Sequence, residues 1–306
     1  MVCIYHNKDL DGFTSGAIVK KWHSINQDDE LIMIGYDYNQ PIPYDIIPKG
    51  ERLIMVDVSL PMPEMLKLSE HVGSFEDFVW IDHHASAISD YESFMTDREE
   101  HKEFLTAVLV QGIAACEITW KYLFGEEPLP MAVLLLGEYD TWRNTDATRW
   151  DKFIMPFQFG MRSICNSPES FPISLIDRRT DKSHNESSIK DIIVMGFHIL
   201  NYRNKLNEGI CSRASFEHDI NGYRAICLNA SDYNSSTFDS VYNEEIHDIM
   251  VPFQYDGEYW SFSIYTTKNE IDCSKLAKIY GGGGHKMAAG FKVKDITTIF
   301  PRILNV

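Results

Sequence analysis

Residues 82–84 read Asp-His-His and follow directly on Phe78-Val79-Trp80-Ile81, a run with the composition of a buried strand. Few patterns constrain a fold more. Two imidazoles and a carboxylate are delivered where a strand opens into a loop, the edge at which ligands gather in open α/β sheets. The pattern recurs twice: Ile4-Tyr5-His6 runs into Asp9 and Asp11, and Leu53-Ile54-Met55-Val56 runs into Asp57. A single Asp at such a place reads equally well as a helix cap. Capping accounts for one of these residues, but not for His6, Asp9 and Asp11 together. Three strand ends that each deliver carboxylate or imidazole point to one converging metal site, and that donor set suits Mn²⁺ or Mg²⁺.

Between these points, short apolar runs alternate with stretches of helical spacing. The alternation predicts an α/β protein whose N-terminal domain is a mostly parallel sheet with helices on both faces. Strands are expected over 31–36, 53–56 and 78–81, and helices over 61–71, 99–124 and 130–140. Composition shifts toward Pro, Ser and Asp across 166–188. This divides the chain into a first domain (1–165), a linker with a connecting helix (166–213) and a smaller C-terminal α/β domain (214–306). Strands are expected in the last part over 223–228, 250–255 and 259–266. Asp272 reads as a helix N-cap and Gly281 as the stop, ahead of Gly282-Gly283-Gly284-His285. Consecutive glycines strip side chains from the backbone, so that its N–H groups can approach an anion.

The 306 residues carry 45 acidic against 28 basic side chains, a net charge of −17. Such a surface repels long polyphosphate chains, which argues against a nuclease that grips polymers. A small anionic substrate held by bound cations is compatible with it, because the cations reverse the local potential. No apolar run is long enough for a membrane span, and the first residues read as a strand rather than a signal peptide, so the cytoplasm is the expected location and a membrane partner is not expected. The six cysteines are scattered without a CxxC pair and read as reduced packing residues.

Taken together, His6-x-x-Asp9-x-Asp11-Gly12, Val56-Asp57, Asp82-His83-His84, Tyr139-Asp140 and the glycine run ending at His285 have the order and rough spacing of one family. The chain resembles the DHH phosphoesterases with a DHHA1 substrate domain, over residues 4–291, and is most similar to their oligoribonuclease-like (nanoRNase) members. The resemblance implies two divalent ions in the first domain, commonly Mn²⁺ and alternatively Mg²⁺. His6 and Asp9 would hold one ion, Asp11, His83 and Asp140 the other, and Asp57 would bridge both. His84 would contact the phosphoryl group or assist the leaving group, so Asp57 and His84 are the expected catalytic pair. Gly282, Gly283, Gly284 and His285 would bind substrate. Tyr265-Thr266 would join them, standing in place of the Arg-Ser pair of many relatives. The implied reaction is hydrolysis of very short oligoribonucleotides, linear dinucleotides included, to mononucleotides by a hydroxide generated at the two ions. A phosphatase for 3′-phosphoadenosine 5′-phosphate, a cyclic-dinucleotide phosphodiesterase and a catalytically silent nucleotide sensor stand as alternatives. The expected partner is a short oligonucleotide or small phosphorylated nucleotide, not a long nucleic acid, with monomer and homodimer both open.

Overall fold

The apolar runs that carry the Asp and His residues lie side by side as neighbouring strands. The computed structural model describes residues 1–38, 40–73, 77–97, 104–177, 179–231 and 234–301. Strands β1 (Val2–His6), β2 (Ile32–Tyr36), β3 (Leu53–Val56), β4 (Phe78–Asp82) and β5 (Thr106–Leu109) form a parallel sheet in the order β2-β1-β3-β4-β5. Every residue of β1, β3 and β4 is buried, as a parallel sheet covered on both faces requires.

The crossovers supply the cover. They are α1 (Leu10–Asn26), α2 (Met62–Val72) and α3 (Ala85–Asp97), joined after the last strand by α4 (Ala115–Phe124) and α5 (Met131–Asp140). After them, α6 (Ala147–Arg149) passes through a π turn into α7 (Met155–Ile164), and α8 (Lys182–Ala214) follows. One face of the sheet packs Ile54, Val79 and Ile81 with Ile18 of α1, Ile118 of α4, Leu135 of α5 and Phe157 of α7. The other packs Met55, Phe78 and Trp80 with Met65 and Leu68 of α2 and Ala87 of α3. All six cysteines are buried and free.

The strands expected over 31–36, 53–56 and 78–81 are present, as are the helices over 61–71 and 130–140. The single helix expected over 99–124 is not. Its residues 99–103 lie outside the described residues, and Thr106–Leu109 form the edge strand β5 against β4. Gly112, at φ +82°, then turns the chain toward α4. The Thr-Ala-Val-Leu run fits a pleated surface as well as a helix, and the open edge of β4 decides between them.

Contacts divide the chain into Met1–Leu200 and Asn201–Val306, within α8. Much of the segment expected as linker is core of the first unit: Phe171, Leu175, Ile176, Ile192 and Ile193 are buried there. These residues join the cluster that holds Ile18 of α1 and Ile118 of α4.

The second unit is a mixed sheet of β6 (Phe216–Ile220), β7 (Tyr223–Asn229), β8 (Ile249–Tyr255), β9 (Trp260–Tyr265), β10 (Gly283–Gly284) and β11 (Ala288–Val293). The order is β10-β11-β9-β8-β7-β6, antiparallel except for the parallel β7–β8 pair. Helix α9 (Cys273–Ile279) begins at the N-cap Asp272, as expected, and buries Leu276 with Phe253, Phe262, Phe291 and Phe300. Cys211 and Phe238 form a second cluster with Leu228 and Met250. Among the described residues, no helix is long and apolar enough to cross a membrane.

Asp248 ties three elements of this unit together. Its carboxylate accepts from Lys268 Nζ (2.7 Å), from the Arg224 backbone N–H (2.9 Å) and from the Arg224 guanidinium. The Arg224 hydrogen bonds, with Lys268, hold it well below the usual carboxylate range. A depressed folded-state pKa stabilises above the unfolded value and is lost as pH falls through the folded one. Asp248→Asn is therefore expected to lower the Tm at neutral pH. Thermal melts at descending pH should show the gap to wild type closing below about pH 3.9, the ordinary Asp value.

Candidate metal centre

Strand register brings the site together. Tyr5 pairs with Val56, and Val56 with Ile81, so His6, Asp57 and Asp82 follow at one level on three adjacent strands. They stand at the carboxyl ends of β1, β3 and β4. Chain order reverses between β1 and β3, and at that point crossovers diverge to leave a crevice.

Asp57 leaves its strand at φ +59° and donates its N–H to the Ile81 carbonyl (2.9 Å). The left-handed region disfavours residues with a Cβ and is tolerated best by Asn and Asp. Asp9 does cap α1: its Oδ1 accepts from Gly12 N (3.0 Å). Its other oxygen, Oδ2, lies 3.2 Å from His6 Nδ1, so the cap and the site share one side chain. Gly12 lies inside α1 rather than in a turn, and a Cβ there would collide with the His6 carbonyl. Asp11, in the first turn of α1, accepts from Ala115 N (2.8 Å) and Cys116 N (2.7 Å) at the start of α4, where unpaired helix amides favour an anion.

Two clusters result, sharing Asp57. In one, His6 Nδ1 lies 3.2 Å from Asp9 Oδ2 and 3.5 Å from Asp57 Oδ2. In the other, His83 Nε2 lies 3.5 Å from Asp11 Oδ2, 3.4 Å from Asp57 Oδ1 and 3.4 Å from Asp140 Oδ2 at the end of α5. One ring nitrogen cannot serve three carboxylates with one proton. Separations near 3.4 Å are those of neighbouring donor atoms around a single cation with bonds of about 2.1 Å. Asp57 is 1% exposed, and both its oxygens, like His6 Nδ1, lack a hydrogen-bond partner. The donor set therefore fits divalent cations: hard oxygen with imidazole, buried, and short of positive charge.

The titrations carry the same message. Burial is the main cause that pushes Asp57 up to about 7. Burial, then the charges of neighbouring Asp residues, raises Asp11 and Asp140. Burial opposes protonation of His6, yet the carboxylates of Asp57 and Asp9 raise it to about 10.

His84 is held differently. Asp82 is fully buried, and its Oδ1 accepts from the N–H of His83 (2.7 Å), the N–H of His84 (3.1 Å) and His84 Nδ1 (2.7 Å). That bond, more than the opposing burial, raises His84 to about 9. A ring nitrogen of His84 lies within 4.8 Å of donor atoms of Asp57 and His83. The structure thus brings His6, Asp9, Asp11, Asp57, His83, His84 and Asp140 into one site.

The second-unit candidates form no comparable cluster. The N–H groups of Gly281, Gly282 and His285 donate to Lys278, Ala277 and Ala288 carbonyls, so these amides are committed to the chain. Gly282 and Gly284 pack so closely on β11 that a Cβ would clash, whereas Gly283 has open space around it. His285 is exposed. The Thr266 hydroxyl is buried, donates to Asp248 O (2.8 Å) and accepts from Lys268 N (3.1 Å). Tyr265 is half-buried beside the Cys211 cluster.

Sequence reasoning missed Asp82 as the group that orients His84. It also missed Asp37 and Tyr38 after β2, with Asp37 Oδ1 3.8 Å from His6 Nε2 and the Tyr38 ring edge-on to His6 at 5.6 Å. The signal that picks out Asp57, an apolar run ending in Asp, is present at 31–37 as well. The ion pair of buried Glu117 with half-buried Arg143 was also unforeseen. Its carboxylate lies where a Cβ on Gly137 would be, which explains the glycine in the helix that carries Asp140.

Fold and site together define an α/β protein with a carboxylate–imidazole centre at the switch point of a parallel sheet and a second, mixed-sheet unit. The same fold occurs in a pGpG-specific phosphodiesterase from Vibrio cholerae, at TM-score 0.54 and 13% identity over 97% of this chain and 94% of that one. It occurs also in an exopolyphosphatase-related protein from Bacteroides fragilis, at TM-score 0.54 and 13% identity over 96% and 86% of the two chains. An uncharacterized protein of Acanthamoeba polyphaga mimivirus is 22% identical over 317 residues, spanning 98% of this chain and 69% of that protein. No family model matches the chain.

Replacing one of the crowded acids separates electrostatic strain from metal binding. Asp140→Asn is expected to raise the Tm of the EDTA-treated protein at neutral pH by about 2–4 °C, as relief of like-charge repulsion worth roughly 1 kcal/mol would. Added Mn²⁺ should raise the wild-type Tm further and the variant's much less. Equal Mn²⁺ shifts in thermal melts would exclude Asp140 as a ligand.

Proposed function

We propose that the chain is a metal-dependent DHH-type phosphodiesterase that hydrolyses very short oligoribonucleotides, linear dinucleotides among them, to mononucleotides. One observation carries the reading: Asp57 is buried without a hydrogen-bond partner on either oxygen, one oxygen near His6 and the other near His83. A carboxylate so placed is suited to bridge two cations. His6 and Asp9 complete one set of donors, and Asp11, His83 and Asp140 the other. Bound Mn²⁺ or Mg²⁺ would supply Lewis acidity to the phosphoryl oxygens and make an attacking water more acidic.

The chain's own residues do the rest. Asp82 fixes the His84 ring through Nδ1, which leaves Nε2 as the atom to hydrogen-bond the phosphoryl group or pass a proton to the leaving oxygen. The Asp82 hydrogen bond raises this imidazole and so favours its protonated form, the one able to donate. In the second unit, His285 and the uncrowded surface at Gly283 are the substrate-binding groups, with Gly282, Gly284 and Tyr265 shaping them. The likeness to a solved pGpG phosphodiesterase supports the linear dinucleotide, and the net charge of −17 supports a short substrate over a polymer.

The test is turnover of a labelled RNA ladder with Mn²⁺ and with EDTA, beside pGpG, 3′-phosphoadenosine 5′-phosphate, a cyclic dinucleotide and polyphosphate. Only the shortest RNAs and pGpG are expected to disappear, and only with metal. Exclusive consumption of one of the other compounds would replace the substrate, and silence on all would favour a sensor.

Within this reading, Asp57→Ala is expected to abolish measurable turnover. His84→Ala should lower kcat by about a hundredfold or more, as loss of a proton donor does. Asp82→Asn should lower kcat in the same direction but less, with KM little changed. Near wild-type rates for Asp57→Ala in steady-state assays would refute the two-cation reading.

A further inference from the structure

Asn207 on α8 and Thr237 in the 3₁₀ turn Ser235–Phe238 are 3% and 1% exposed, yet neither end of the Asn207 carboxamide nor the Thr237 hydroxyl has a hydrogen-bond partner. Buried polar side chains are almost always paired, and two orphans side by side call for a missing partner. Both line one cavity of about 440 Å³ that lies wholly within the second unit. That volume is in the range of small-ligand pockets and exceeds what one or two waters fill.

The lining states the chemistry of the occupant. Asn207 and Thr237 are neutral, and together they offer both donors and acceptors. Asn204 and Ser240 continue the same chemistry toward the mouth, where Lys205, Glu208 and Asp239 are exposed. The buried pair itself presents no charge to an ion, since the charged lining groups are all exposed, and an apolar ligand would leave the orphans unpaired. A pair of adjacent hydroxyls fits: one donates to Asn207 Oδ1, the other accepts from Nδ2, and the Thr237 hydroxyl completes the set.

We propose that this cavity binds the vicinal diol of a sugar, supplied by a free monosaccharide or by the ribose of a nucleoside. The proposal is independent of the metal centre and of the phosphodiesterase reading.

The test uses the full chain in EDTA, titrated with ribose, adenosine and 2′-deoxyadenosine, and read by the side-chain amide resonance of Asn207, assigned from its loss in Asn207→Leu. Ribose and adenosine are both expected to shift that resonance, with 2′-deoxyadenosine roughly tenfold weaker for want of one hydroxyl. A response to adenosine but not ribose would identify the nucleoside as the source, and the converse a free sugar. Thr237→Val supplies the control for folding. Because no group of the chain loses a partner, its unliganded Tm should equal or exceed that of wild type, while binding weakens by about tenfold. No shift with any probe, equal affinity for the deoxynucleoside, or a crystal structure from ribose-containing solution with ordered water alone in the cavity would overturn the proposal. So would undiminished binding by Thr237→Val.

Discussion

Four carboxylates crowded among three imidazoles at the end of a buried sheet repel one another and lose their water, and the surrounding structure is arranged around that cost. Asp11 is met by the opening amides of α4, Asp82 by the N–H groups of the loop that follows it, and Asp9 by the first turn of α1. Among the described residues, neither oxygen of Asp57 receives a hydrogen bond. The pattern is selective: Asp9, Asp11 and Asp82 are anchored by backbone N–H groups, whereas the acid beside both His6 and His83 is not. Backbone dipoles thus fix the outer donors, and the central charge is left for a partner that the polypeptide does not provide.

Strand order explains why such a centre can be built from so few residues. In the order β2-β1-β3-β4-β5, adjacent strands reach the same level together, so one residue past each apolar run lands in the crevice. The second unit works by a different logic. Its glycine run answers steric and turn demands at Gly281, Gly282 and Gly284, and its polar network around Asp248 consumes the Thr266 hydroxyl.

Much of the first unit was legible because burial on both faces makes its strands continuous apolar runs, and because Asp and His directly after such runs have few purely structural uses. The edge strand β5 was not legible. Edge strands are half-covered, and Thr106-Ala107-Val108-Leu109 merges in sequence with the helix that follows. The core role of 171–193 was hidden by its polar composition, since a handful of well-spaced apolar residues suffices to seal one flank. In the site, donors that follow a strand were found, whereas Asp82 was passed over because its partner, the ring two residues on, is visible only in three dimensions. The hydrogen bonds that occupy amides of the glycine run were hidden for the same reason: a sequence does not show which amides are already spoken for.

Gly12 carries a consequence beyond its own position. The helix bearing Asp11 rests on the strand bearing His6 with only a hydrogen atom between them. The spacing of the two clusters is thereby fixed by van der Waals contact of main chain on main chain, the stiffest gauge a protein possesses. A methyl group at residue 12 would act as a shim, prising Asp11 away from Asp57 while removing no donor. Such a change would alter the bite of the site without altering its composition, and so shift which cation radius it prefers.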